Sequence, residues 1–240
     1  MLRAVGLVPS PPLLVPELTG DGADEAEPVR TAALAAAGLL GSVSNRWLVL
    51  AAAETERTTA PSAAGTFAGY GVDVPVGLSA DADRFDPEVP LEALIAGWLR
   101  GRSAPGATVE VRFVDRSTSA TDCHRIGRDV RRDLDADPAA RALLVIADGA
   151  TTLTAKAPGA YDERAEGVQQ RIDDALAAAN PSALADLDQN LCAELGVASL
   201  ATWHTLAGVI DGDRPVSRTL YRGAPFGVGY FVGTWELTGA

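Results

Sequence analysis

With 240 residues, 47% of them apolar and 22% charged, and a mean hydropathy of +0.09, the chain has the composition of a globular protein of α/β domain size. A net charge of −12 excludes general nucleic-acid binding, which depends on Lys and Arg neutralising phosphates. No apolar run approaches the roughly 20 residues that span a bilayer, and no basic and apolar leader opens the chain, so one cytoplasmic domain over residues 1–240 is expected.

Ala4–Val8 reads as a buried strand ended by Pro9-Ser10-Pro11-Pro12, which puts Ser10 at a strand tip. An Ala- and Leu-rich helix is expected over 25–40, stopped by Gly41. Trp47–Ala53 is a second buried strand running into Glu54-Thr55-Glu56-Arg57, followed by a short strand over 72–78 and a helix over 89–99. Val109–Val114 alternates apolar and polar residues as a half-buried strand does, and Asp115 closes it. Cys123, Ile126, Val130 and Leu134 fall on one face of an amphipathic helix. Arg125, Arg128, Arg131 and Arg132 are interleaved with acids there and form a solvated face.

Ala142–Ala147 is the next buried strand, opening into Asp148-Gly149-Ala150-Thr151-Thr152. Helices are expected over 161–179, with Asp162 as N-cap, and over 184–195 and 200–209; a last strand covers 228–237. Strands alternating with helices imply a three-layer α/β fold, a largely parallel or mixed sheet with helices on both faces. Ligands in such folds bind beyond the carboxyl ends of the strands. That rule collects Ser10, Glu54, Glu56, Asp115, Asp148, Thr151 and Thr152 as pocket candidates.

Each candidate has two readings. Ser10 is a nucleophile only if a base and an oxyanion hole stand within reach, and Pro11 removes the N–H that usually follows such a serine; a ligand-binding hydroxyl is the alternative. Glu54, Glu56 and Asp115 are paired carboxylates for acid–base work or solvated loop acids. Lys156, the sole lysine of the chain, is a pocket cation for an anionic ligand or an exposed loop residue. His204 is a ligand-site residue or a hydrogen-bonded core histidine, and His124 lies off the apolar stripe of its helix, facing solvent. Cys123 and Cys192 have no partner cysteine or histidine at metal spacing and read as reduced core or boundary thiols.

The segment Val8-Pro9-Ser10-Pro11-Pro12-Leu13-Leu14-Val15-Pro16-Glu17 resembles the opening of the class III extradiol dioxygenase subunit-B family. Leu144–Thr151, Ala157–Ala165, Ala201–His204 and Gly227–Tyr230 resemble later blocks of the same family, in its alanine-rich branch. The resemblance implies the family's α/β fold, and an Fe(II) held by two histidines and a carboxylate in the active members. In this chain Ser10 stands where the first histidine belongs, no histidine precedes His124, and the turn after Asp148 lacks one too. The carboxylate position falls at either Glu194 or Ser199. No metal and no cofactor are therefore expected, with a small polar or anionic molecule bound in the old cleft. A metal-independent enzyme, for instance a hydrolase, or a homodimeric or partner-bound subunit are the alternatives.

Overall fold

The apolar runs form the middle of a mixed sheet. The computed structural model describes residues 1–20 and 23–237. In chain order its elements are β1 (Leu2–Val8), α1 (Ala23–Val43), β2 (Arg46–Ala53), β3 (Arg57–Thr59), β4 (Ala63–Thr66), β5 (Pro75–Gly77), β6 (Arg84–Phe85), α2 (Leu91–Ser103), β7 (Thr108–Asp115), α3 (Ala120–Ala136), β8 (Arg141–Ile146), α4 (Ala165–Ala177), α5 (Pro181–Ala185), α6 (Gln189–Glu194), α7 (Leu200–Val209), β9 (Val216–Gly223) and β10 (Tyr230–Glu236). The seven-stranded sheet has the order β3-β7-β2-β8-β1-β10-β9, with β7, β2, β8 and β1 parallel and the rest antiparallel. A three-stranded sheet, β5-β4-β6, lies in the connection from β2 to β7.

The inner strands are apolar on both faces because both faces are covered. Leu48 and Leu50 of β2 and Leu143 and Val145 of β8 share a core with α3, α4 and α7. Trp47 and Val49, with Leu144 and Ile146, share the opposite core with α1 and α2. Burial of each such Leu, Val or Ile is worth about 1.5–3 kcal/mol, which fixes the strand register more firmly than the loops. Among the described residues, no helix is long and apolar enough to cross a membrane.

Several boundaries differ from the sequence expectation. Gly41 does not stop α1, which runs on to Val43; a Cβ at Gly41 would stand 2.7 Å from Ala104 Cβ, so this glycine serves close packing inside the helix. The strand over 72–78 shrinks to Pro75–Gly77 in the small sheet, and α2 starts at Leu91, after Pro90 in its N-cap position. The helix over 161–179 starts only at Ala165: Asp162 is not its N-cap but folds back on the Arg164 amide and guanidinium, at 2.9 and 2.7 Å. The helix over 184–195 breaks in two where Asp188 caps α6 through the Leu191 amide at 2.8 Å. Strand β9 lies over residues assigned to no element from sequence, and its residues are mostly half-buried or exposed.

Candidate functional site

Strands β1 and β8 are parallel neighbours, with Val8 paired to Ile146, so continuing the register brings Ser10 level with Asp148. The Ser10 amide donates to Asp148 Oδ1 at 2.9 Å and its hydroxyl to Oδ2 at 2.5 Å. Ser10 is buried, at 8% exposure. The Asp148 amide in turn donates to Ser199 Oγ at 3.1 Å. Burial pushes the Asp148 carboxyl above the usual range, while the two bonds from Ser10 pull it back.

Two further titratable groups face this pair. Tyr230 opens β10, which runs antiparallel to β1, and the Gly149 amide donates to the Gly229 carbonyl at 2.8 Å, tying the Asp148 turn to that strand. Its buried hydroxyl is held well above the usual tyrosine range by burial first, then by the negative charge of Asp148 and by Tyr221. Glu92, in the first turn of α2, is raised by burial, with Asp148 adding to the rise and Arg116 opposing it. The centre is therefore a half-buried acid among groups that resist further negative charge. Beside Ser199, a cavity of about 280 Å³ is lined by Arg116, Gln189, Gly196, Val197, Ala198 and Leu200.

The turn after Asp148 is held from behind by a residue the sequence did not single out. Gln169 Oε1 accepts the Ala150 amide at 2.9 Å, Gln169 Nε2 donates to Asp173 Oδ1 at 2.7 Å, and Asp173 Oδ2 takes Arg222 Nε at 2.8 Å. A Cβ on either Gly149 or Gly229 would fall 2.0 Å from Gln169 Oε1, so both positions admit only glycine without displacing this chain of bonds. The i, i+4 spacing of Gln169 and Asp173 is the one sequence signal that marks the pair. Tyr230 and Glu92 read in sequence as a strand residue and a helix-start acid, and nothing local sets them apart.

The other candidates are not drawn into this centre. Glu54 and Asp115 do follow the C-terminal ends of β2 and β7, but Glu54 is exposed and takes Arg116 at 2.7 Å, and Asp115 is satisfied by the Ser117 hydroxyl and amide at 2.6 and 2.7 Å. Those bonds hold the Asp115 carboxyl below the usual range. Glu56 is exposed. Thr151 clasps its own loop: its amide donates to the Leu195 carbonyl at 3.1 Å, and its hydroxyl occupies the space a Cβ on Gly196 would need. Thr152 Oγ1 is buried and donates to the Leu195 carbonyl at 3.2 Å. Lys156 is exposed and, among the described residues, makes no ion pair.

His204 is in the core, 2% exposed, with Nε2 lacking a partner, and burial lowers its pKa. His124 lies on α3, half-buried and 3.6 Å from Asp211. Of the two positions left open for a carboxylate, Ser199 adjoins Asp148, whereas the exposed Glu194 pairs with Arg164 at 2.9 Å. Among the described residues, no three His, Cys, Asp or Glu side chains are grouped to hold a metal ion. Cys123 and Cys192 are buried and free.

No family model matches the chain, and no curated protein matches it. The fold has a solved counterpart. The structure of uncharacterized protein JW3007 from Escherichia coli K12 superposes with a TM-score of 0.57 over 98% of this chain and 99% of that one, at 14% identity. At that identity the likeness is one of fold alone.

Proposed function

We propose that this chain is a class III extradiol dioxygenase subunit-B-like protein without iron-dependent ring cleavage, and that its strand-end centre binds a small polar molecule. The observation that carries this reading is the Ser10–Asp148 pair. Where the family resemblance calls for the first histidine ligand, a serine is committed by both its amide and its hydroxyl to a carboxylate. The available donors do not suit Fe(II): hydroxyls are poor substitutes for imidazole, Ser199 rather than a carboxylate adjoins Asp148, and both histidines sit on helices, His124 on α3 and His204 within the α7 core.

The acids at the centre, Asp148 and Glu92, favour a ligand that donates hydrogen bonds or carries an amine over an anionic one. The hydrolytic alternative meets one of its two conditions: Asp148 stands within reach of the Ser10 hydroxyl as a base, but Pro11 offers no N–H to an oxyanion.

The test is metal analysis of protein purified without chelators, oxygen uptake with catechols, and a thermal-shift screen of amines and polyols. The proposal expects no stoichiometric iron, no catechol-dependent uptake and a stabilising ligand; at 100 times its dissociation constant such a ligand adds about 2.7 kcal/mol. Near-stoichiometric iron with catechol-dependent oxygen uptake overturns it.

A further inference from the structure

A second groove, of about 440 Å³, lies at the opposite side of the main sheet, on edge strand β3 and separated from β1 by β7, β2 and β8. Its lining includes Arg57, Thr58, Thr59, Ser62, Arg84 and Phe85. Among the described residues, neither Arg57 nor Arg84 has a carboxylate within ion-pair distance, whereas nearby Arg112 and Arg116 are both paired. Two guanidinium groups without an ion pair thus line one groove of a chain whose net charge is −12. Asp86 also lines the groove and brings one negative charge to it, its Oδ1 accepting the Glu88 amide at 2.8 Å.

Both arginines are mounted on paired backbone. Arg57 is registered against Phe113 in the β3–β7 ladder, and its guanidinium lies over the Phe113 ring, 5.7 Å from the centroid. Arg84 and Phe85 are held against β4 by the Arg84 amide on the Ser62 carbonyl and the Asp86 amide on the Ala64 carbonyl, each 2.9 Å. Two further features lack an internal explanation. Thr59 is 6% exposed, yet its hydroxyl has no hydrogen-bond partner, a state that costs free energy unless something supplies one. The Phe85 ring stands 62% exposed on the same lining.

The geometry points to a binding site for a small aromatic molecule carrying an oxyanion, a phosphate or a carboxylate. The guanidinium groups of Arg57 and Arg84 take the oxyanion through charge-assisted bonds, the hydroxyl of Thr59, on the same face of β3 as Arg57, and that of Ser62 supply further donors, and the ring stacks on Phe85. Strand pairing fixes the backbone that carries both arginines, so binding has only their side chains to order.

The experiment is calorimetric titration of the whole chain with phenyl phosphate, benzoate and inorganic phosphate, at low and high salt. Phenyl phosphate or benzoate is expected to saturate one site, and whichever binds more tightly names the oxyanion. Arg84→Gln is expected to weaken that binding about ten- to a hundred-fold, as loss of a charged hydrogen bond does. Phe85→Ser is expected to bring the aryl ligand down to the affinity of inorganic phosphate. Both residues are exposed, and an unchanged melting temperature verifies that each variant folds. Ser10→Ala, at the other centre, is expected to leave this binding intact. The inference is overturned if none of the three probes binds, if Arg84→Gln binds as the parent does, if inorganic phosphate matches the aryl ligands, or if Ser10→Ala rather than Arg84→Gln removes the binding.

Discussion

Ser10 and Asp148 are joined twice, amide to Oδ1 and hydroxyl to Oδ2, although 138 residues of chain separate them. The parallel pairing of β1 with β8 makes this possible, since it delivers both residues to the same sheet edge in register. The pair thus links the chain's first loop to the turn that the Gln169 relay supports from behind.

Removing one partner of this pair has a defined sign. Ser10→Ala is expected to cost about 1.5–3 kcal/mol in urea unfolding, as for a hydrogen bond to a charged group. It is also expected to raise the Asp148 pKa further, because the hydroxyl that lowers it is gone. The folded pKa of Asp148 already lies above its usual 3.8, so the native state holds this proton more tightly than the unfolded chain. Its contribution to stability is full below 3.8 and is lost as pH rises through the folded value. Asp148→Asn is expected to remove that downward slope. A carboxyl titration by NMR that finds Asp148 at or below 3.8 in the parent contradicts this account.

His204 acts in the other direction. Burial depresses its folded pKa below 6.5, so the unfolded chain takes up the proton first, and stability falls as pH drops below 6.5 until the folded value is passed. Within that window the slope is up to about 1.4 kcal/mol per pH unit. His204→Leu is expected to flatten it and, because Nε2 has no partner, to leave stability at pH 7 unchanged or higher. Denaturant midpoints from pH 5 to 7.5 that have the same slope in both proteins tell against it.

The two glycines beside Gln169 differ from Gly38 of α1. Gly149→Ala or Gly229→Ala is expected to destabilise by about 1–3 kcal/mol, since the new Cβ meets the Gln169 carboxamide. Gly38→Ala, in the middle of α1 with nothing within 4 Å of its Cβ position, is expected to stabilise by about 0.5–1 kcal/mol. Equal effects at the three positions, measured by urea unfolding, rule out the steric account.

Burial pushes the Cys192 thiol up to about 11 and raises that of Cys123 as well. Both are expected to resist iodoacetamide at pH 8 in the native protein and to label at once in denaturant. Mass spectrometry that finds either thiol alkylated at the rate of a free cysteine shows the site to be open.

From the sequence, β1, β2 and β8 were readable because continuous apolar runs have one stable use in an α/β chain, burial on both faces, and β7 because its alternation marks a half-buried strand. The same logic identified Ser10 and Asp148 as strand-end residues. Strand β9 was not readable: Val216-Ser217-Arg218-Thr219-Leu220-Tyr221 is half-exposed at a sheet edge, where packing imposes little pattern. The helix boundaries at Gly41 and Asp162 failed for a related reason, since local cap and stop signals were overruled by packing on Ala104 and by the Arg164 side chain.

What the sequence by itself determined is the layering: which segments are the buried inner strands, that the sheet is covered on both faces, and which polar residues end up past the strand tips. Only the tertiary structure decided which of those residues meet. Strand order is set by contacts between segments far apart in sequence, 138 residues for Val8 with Ile146 and 95 for Trp47 with Ala142, and no local pattern encodes that β8 inserts between β2 and β1. That insertion sets Asp148 against Ser10, brings Tyr230 and Glu92 to the same centre, and leaves Glu54 with Arg116 and Asp115 with Ser117.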